Sequence, residues 1–349
     1  MKENIGFLES LLKTASPSGM EENAASLFVN QCVSQGCTYE FTDKINNSVV
    51  SKGNGATTVM VSGHIDTLGL IITTITDDGF LHFMRNSGED KKVIPGQRFE
   101  IILDSGATIP AVCMKKAIHL ETSKERDTVE KVEDMVLSIG AHDKKAAEAL
   151  GIRTGLLCVY KMGNEILEFG PEKDLICSES LDDKIGVYIT AEVMRRLRNI
   201  PGNIKVLGAA TTQEETGLRG AGILANKLNP NVSIDIDVTH STESSLGINK
   251  DKVGGDIKLG SGVVIEFGAD KSRRIGKKMI DICKASNIPY QLSAGIACGT
   301  NTSNIQERAL DCETMLLSIP CQNMHTPVEV VSWVDVEACI NLIVKFIEG

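Results

Sequence analysis

Residues 205–222, KVLGAATTQEETGLRGAG, decide how the rest of the chain is read. VLGAA has the texture of a short buried strand, and TGLRGAG that of a turn opening onto a helix of small residues. Glu214 and Glu215 stand at the junction. Carboxylates half-buried there each cost free energy unless something positive compensates them. Arg219 offers one charge for two. The remaining positive charge must come from elsewhere, and a bound cation is one way to supply it.

Working outward, the chain after residue 170 alternates helices and strands. A helix at 183–198 precedes the strand IKVLGAA, a helix near 217–227 follows it, and the strand VSIDIDV comes next. A helix at 271–286, the strand DCETMLLSI and a closing helix VDVEACINLIVKFI complete the series. Such alternation predicts a largely parallel sheet covered on both faces. Toward the N-terminus, helices at 3–14 and 20–35 precede a strand and turn in TTVMVSGHIDTLG, residues 57–69. Between 70 and 163 the texture changes to short alternating segments, among them GLIITTI, FEIIL and GLLCVY, broken by Gly, Pro and Asp. These predict a small β-rich module with one charged stretch, TSKERDTVEKVED, and one short helix, DKKAAEAL. The predicted organisation is an α/β domain made of 1–69 and 164–349, interrupted by an inserted domain at 70–163.

Composition narrows the function. The 349 residues are 42% hydrophobic, 23% charged and only 4% aromatic, with a net charge of −10. An acidic chain lacks the clustered Lys and Arg that nucleic acid requires. Few aromatics leave few stacking platforms for sugars or single strands. The N-terminal MKENIGFLESLLKTASPSG reads as an amphipathic helix, not a signal peptide, and no apolar run approaches the ~20 residues of a membrane span. Ten cysteines are scattered without CxxC pairs, which predicts reduced core thiols and a cytoplasmic enzyme. Cys298 and Cys321 are read the same way, as residues of the core or just behind a site. The glycines of GLRGAG and SGVVIEFGADKSRR complete neither a G-x-G-x-x-G nor a P-loop pattern and are read as turns and close helix packing.

Ligands of open α/β sheets collect beyond the carboxyl ends of strands. His64 and Asp66 follow one predicted strand, Glu214 and Glu215 another, and Asp237 closes a third. Asp182 and Asp183 start a helix, and His325 lies just past the last strand. Singly, each has an ordinary explanation: Asp182 as an N-cap, the glutamates as favourable charges at a helix start, Asp237 as a turn residue. Together they form an N/O donor set suited to zinc, cobalt or manganese.

These segments resemble the M42 family of metallo-aminopeptidases, also known as glutamyl or deblocking aminopeptidases and, under older labels, endoglucanases. GHIDTLG, SLDDKIG, QEETGLRGA, IDVTHS and SIPCQNMHTPVEV carry the resemblance, with IPGQRFEI and the long segment 117–155 in the insert. It implies a zinc-peptidase fold, a three-layer α/β/α domain interrupted by a β-barrel-like domain that serves oligomerisation, with a homo-oligomer up to a dodecamer. It implies two divalent ions, zinc or cobalt first and manganese next. His64, Asp182 and Asp237 would hold one, and Asp182, Glu215 and His325 the other, with Asp182 bridging. Glu214 would be the general base acting on the metal-bridging water, Asp66 would orient His64, and the 182–183 peptide would be cis. The activity implied is removal of N-terminal residues from peptides.

Three positions depart from the family pattern: Asn301 where an Asp is frequent, DTLG for DEIG, and Ser138 where DIGA is common. Asn301 takes away a carboxylate that could have favoured a basic group. A deacylase acting on N-acyl amino acids could use the same ions, and a metal-stabilised scaffold could keep the ligands without the reaction. Glu214 separates the last reading, because a structural site has no use for a spare carboxylate. A glycosidase would leave the histidines unexplained and lack aromatic platforms.

Overall fold

The computed structural model describes residues 4–161, 166–243, 247–295 and 299–349. They divide into two compact units, one drawn from 1–67, 164–324 and 328–349, the other from 68–163 with 325–327. Residues 163 and 164, where the sequence sets the domain boundary, and Cys298 lie outside the described residues.

The larger unit is built on an eight-stranded sheet. Its strands run in the order Thr38–Thr42, Ser48–Gly53, Ile204–Thr211, Thr57–His64, Val232–His240, Glu313–Cys321, Val263–Phe267, Tyr290–Ala294. Thr57–His64 lies parallel to Ile204–Thr211 on one side and to Val232–His240 on the other, and Val232–His240 is parallel to Glu313–Cys321. The carboxyl ends of four neighbouring strands thus share one edge. Register pairs Thr211 with His64, and His240 with Cys321. Outside this block the sheet is mixed: Ser48–Gly53 is antiparallel to Ile204–Thr211, and Val263–Phe267 to Glu313–Cys321. The strands Thr38–Thr42 and Ser48–Gly53 are antiparallel, joined by a loop too short for a crossover helix.

Most predicted elements appear within a few residues of their expected ends, including helices Ile5–Lys13, Glu22–Ser34, Arg273–Ser286 and Trp333–Glu348. Several elements carry no clear periodic signal and emerge only here, among them the strands Val263–Phe267, Tyr290–Ala294, Thr38–Thr42 and Ser48–Gly53 and the helix Asn301–Arg308. The first lies in SGVVIEFGADKSRR, whose flanking glycines make so short an apolar run look like a turn.

The helix Leu181–Arg196 is buried along nearly its whole length, against three central strands and the helix Trp333–Glu348. Its buried residues include Lys184 and Glu192 beside the apolar ones, and both have partners: the Lys184 ammonium donates to the Thr14 carbonyl at 2.6 Å, and Glu192 accepts from Arg195 at 2.8 Å. Its first residues approach the sheet closely. A Cβ at Gly186 would lie 2.3 Å from Asp183 Oδ2, and one at Gly63 would lie 2.6 Å from the Gly186 carbonyl carbon, so glycine is required at both.

The smaller unit is a closed six-stranded barrel, in the order Leu70–Ile75, Leu81–Arg85, Leu137–Ser138, Thr108–Cys113, Arg98–Ile102, Leu157–Tyr160. Its core is Leu70, Ile72, Leu81, Phe83, Phe99 and Ile101 with their neighbours, and Phe99 stacks on Tyr160 at 4.7 Å. Closure pairs every strand edge, which lets segments this short hold together. Among the described residues no helix is long and apolar enough to cross a membrane, and every cysteine is a free thiol.

Candidate metal centre

His64 is the last residue of its strand and fully buried. Its Nδ1 faces the Asp66 backbone carbonyl at 3.0 Å, which places the ring hydrogen there and turns Nε2 outward as a ligand atom. Nε2 lies 3.1 Å from Asp182 Oδ1 and 3.8 Å from Glu214 Oε2. Donor atoms of His64, Asp182 and Asp237 fall within 4.8 Å of one another, as do those of His64, Glu214 and Glu215. Asp237 does not close its strand, which runs on to His240. The residue is held inside the strand, where its Oδ1 accepts the Val238 N–H at 2.7 Å.

Asp182 and Asp183 divide two tasks that the sequence leaves open. The 182–183 peptide is cis, and both residues have non-helical backbone angles, so the regular helix begins after them. Asp183 is the capping residue: its Oδ1 accepts the Gly186 N–H at 3.0 Å, and its Oδ2 accepts the His64 N–H at 3.0 Å. That leaves the Asp182 side chain to face His64, while Glu329 accepts the Asp182 N–H at 3.0 Å.

The Glu214–Glu215 junction is a turn, not extended backbone. Gln213 has φ 55°, and the N–H groups of Gly217 and Leu218 both donate to the Glu214 carbonyl. Asp66 organises it. Its carboxylate accepts the N–H of Glu214 at 3.0 Å, the N–H of Glu215 at 3.2 Å and the Ser18 hydroxyl at 2.6 Å. The contact from Asp66 to the His64 ring is thus made by its backbone carbonyl, with the carboxylate farther off at 3.5 Å. Arg219 is exposed and reaches Gln213. Sequence reasoning passes over Ser18, for which no local pattern gives a signal, and over Glu329, although it lies within the quoted HTPVEV.

His325 sits in a turn whose stems, Gln322 and Val330, exchange two backbone hydrogen bonds of 2.9 and 3.0 Å. Its Nδ1 lies 3.0 Å from the Gly88 carbonyl oxygen, and residues 325–327 group with the barrel unit.

Electrostatics show what this arrangement asks for. Burial raises the Glu214 carboxyl to about 8, with Glu215 and Asp182 adding to the rise and His64 opposing it. Burial, then Glu214, holds Asp237 well above the carboxylate range. Burial alone would lower the His64 imidazole, but Glu214, Asp182 and Asp66 raise it well above its ordinary value. Anionic groups are crowded where the solvent cannot screen them, and a divalent cation among one imidazole and several carboxylates relieves that crowding. The donor set fits such an ion.

The M42 glutamyl aminopeptidase family model matches residues 46–342. The chain belongs to the M42 glutamyl aminopeptidase family. The lysyl aminopeptidase of Pyrococcus furiosus is 27% identical over 312 residues, covering 88% of this chain and 86% of that protein. The aminopeptidase APDkam598 of Desulfurococcus kamchatkensis superposes with a TM-score of 0.89 at 28% identity, covering 99% of this chain and 94% of that one. The TET1 peptidase of Pyrococcus horikoshii, which assembles into a tetrahedron or a large octahedral shell, gives 0.84 at 28% identity over 98% of both chains. This M42 enzyme is an aminopeptidase, a hydrolase of N-terminal residues, and its family is metal-dependent.

Of the departures from the family pattern, Asn301 proves to be buried, its Nδ2 donating to the Thr211 hydroxyl at 3.1 Å. It braces the strand end beneath the site.

Proposed function

We propose that this aminopeptidase cleaves peptides one residue at a time from the N-terminus with two divalent cations, zinc or cobalt first and manganese next. His64, Asp182 and Asp237 hold one, and Asp182, Glu215 and His325 the other, the second set resting on the family resemblance. Bound there, the cations supply Lewis-acid polarisation of the scissile carbonyl and a lowered pKa for the attacking water. Glu214 takes the proton from that water and passes it to the departing amine. Asp66 keeps Glu214 and Glu215 in register by holding both backbone N–H groups, and Asp183 and Glu329 fix the backbone around Asp182.

The observation that carries this reading is Glu214: a buried carboxylate 3.8 Å from the His64 nitrogen that the His64–Asp182–Asp237 set does not need. Hydrolysis of aminoacyl-p-nitroanilides and short peptides, free and N-acetylated, tests it. Protein stripped of metal and reloaded with Zn²⁺, Co²⁺ or Mn²⁺ is compared with Glu214→Gln. Metal-dependent release from free N-termini is expected, with kcat lowered roughly 10²–10⁴-fold in the variant. Turnover of only the acetylated substrates would make the enzyme a deacylase.

The barrel unit is the proposed assembly element of a homo-oligomer, a dodecamer at its largest. Val112, Met114, Ile118, Leu120 and Val129 are all exposed on it, more apolar surface than a lone barrel needs. Free thiols throughout the described residues support work in a reducing compartment, the cytoplasm.

A further inference from the structure

The strand Ser48–Gly53 runs antiparallel to Ile204–Thr211, with Ser48 opposite Ala210. Asn47, one residue before Ser48, therefore falls beside the end of the strand that leads to Glu214 and Glu215. It is fully buried. Its Oδ1 accepts both the N–H and the hydroxyl of Thr212, at 3.0 and 3.1 Å. Its Nδ2 donates to the Gly220 carbonyl at 3.2 Å and to Asp43 Oδ2 at 2.9 Å. Both lone pairs and both hydrogens of the amide are thus used.

Thr212 and Gly220 are the stems of the loop 213–219, which carries Glu214 and Glu215. The stems also bond directly, the Gly220 N–H donating to the Thr212 carbonyl at 2.9 Å. They stand so close that a Cβ at Gly220 would lie 2.3 Å from that carbonyl oxygen and 2.4 Å from Asn47 Oδ1. One amide therefore joins both ends of the loop. Asn47 is fixed in its turn: Asp43 Oδ1 accepts its backbone N–H at 3.0 Å, and the Asp43 N–H donates to its carbonyl at 2.9 Å. Asp66 holds the loop from within, at the N–H groups of Glu214 and Glu215. Asn47 holds it at the root, where buried bonds have no water to replace them.

We propose that Asn47 is a positioning residue of the reaction: it roots the 213–219 loop so that the Glu214 carboxylate stands where it takes the proton. The proposal rests on the reading of Glu214 as the base. Joining the stems needs an acceptor and a donor on one short, rigid group, which an asparagine supplies and an aspartate does not. A base displaced by ~1 Å from its working position costs on the order of 10²-fold in rate, even when the cause lies away from the chemistry.

A double-mutant cycle at saturating Zn²⁺ tests it, with an aminoacyl-p-nitroanilide as substrate. Wild type, Asn47→Asp, Glu214→Gln and the pair are compared at a temperature where circular dichroism shows all of them folded. Asn47→Asp keeps the size and the acceptor for Thr212 but loses the donor to Gly220, and Asn47→Ala controls for the added charge. With Glu214 present, both substitutions are expected to lower kcat roughly 10–100-fold while KM stays within about threefold. In Glu214→Gln they should lower kcat by less than about threefold, because the group they misplace is already gone. An unchanged kcat in folded Asn47→Asp overturns the proposal. An equal loss in both backgrounds also overturns it, since Asn47 would then act on the fold at large and not through Glu214. Calorimetric titration with Zn²⁺ gives a readout without turnover, and because Glu215 shares the loop, zinc should bind about tenfold more weakly to Asn47→Asp. If Glu214→Gln runs at the wild-type kcat, the reading of Glu214 as the base falls by itself. Weakened zinc binding in Asn47→Asp would then keep the rooting of the loop, and unchanged binding would reject it.

Discussion

At the scale of single residues, the centre depends on backbone groups as much as on ligand atoms. Asp66 never needs to touch an ion to matter, because it accepts two consecutive N–H groups and the Ser18 hydroxyl. Asp66→Ala would leave those donors without their acceptor and let the Glu214–Glu215 turn relax. The expected result is a fall in kcat of about 10–100-fold with weaker metal binding, the range seen when groups behind metal ligands are removed. Steady-state kinetics beside metal titration checks it. Full activity in Asp66→Ala would mean that the turn is held by its own 214–218 hydrogen bonds. The residue types at the centre are legible in sequence. The division of labour between Asp182 and Asp183 is not, since either could cap a helix, and only the positions of Gly186 and His64 decide between them.

At the scale of elements, the closing helix Trp333–Glu348 is tied to the sheet through Asp335 in its first turn. That buried carboxylate accepts the N–H groups of Gly260 and Gly262 at 2.8 and 2.6 Å. Burial nevertheless dominates and raises its carboxyl to about 7. The folded protein therefore binds this proton more tightly than the unfolded chain. The contribution is fully present below the unfolded carboxylate value and is lost as pH rises through about 7. Asp335→Asn removes the titration, so the wild-type advantage in denaturant midpoint over the variant should shrink between about pH 4 and about pH 8. A difference that stays constant, or grows with pH, would show that the two N–H donors outweigh burial. The helix itself is easily read from its apolar periodicity. Its anchorage is not, because Gly260 and Gly262 meet Asp335 only across the fold.

For the whole molecule, metal and assembly should appear in the same measurements. An ion that binds the folded chain and not the unfolded one stabilises it by about 2.7 kcal/mol at a hundredfold excess over Kd. Chelation should thus lower the melting temperature by a few degrees, and Zn²⁺ or Co²⁺ should restore it. Native mass spectrometry should show a homo-oligomer at micromolar concentration. A monomer with unchanged melting behaviour after chelation would count against both the assembly and the centre.

Much of this protein is written locally. Apolar periodicity, turn residues and the change of texture near residue 70 determine an α/β fold with a β-rich insertion, because burying an apolar face leaves few alternatives. Strand ends and helix starts likewise mark where His64, Asp182, Glu214 and Glu215 stand along the chain, whereas Asp237 lies inside a strand that runs on to His240. The tertiary structure decides what no local pattern encodes: the antiparallel flanks of the sheet, the burial of Asn301, the capping role of Asp183 and the hold of Asp66 on the Glu214–Glu215 turn. Each depends on hydrogen bonds or strand pairings between segments far apart in sequence, and such partners come within reach only when the whole chain has folded.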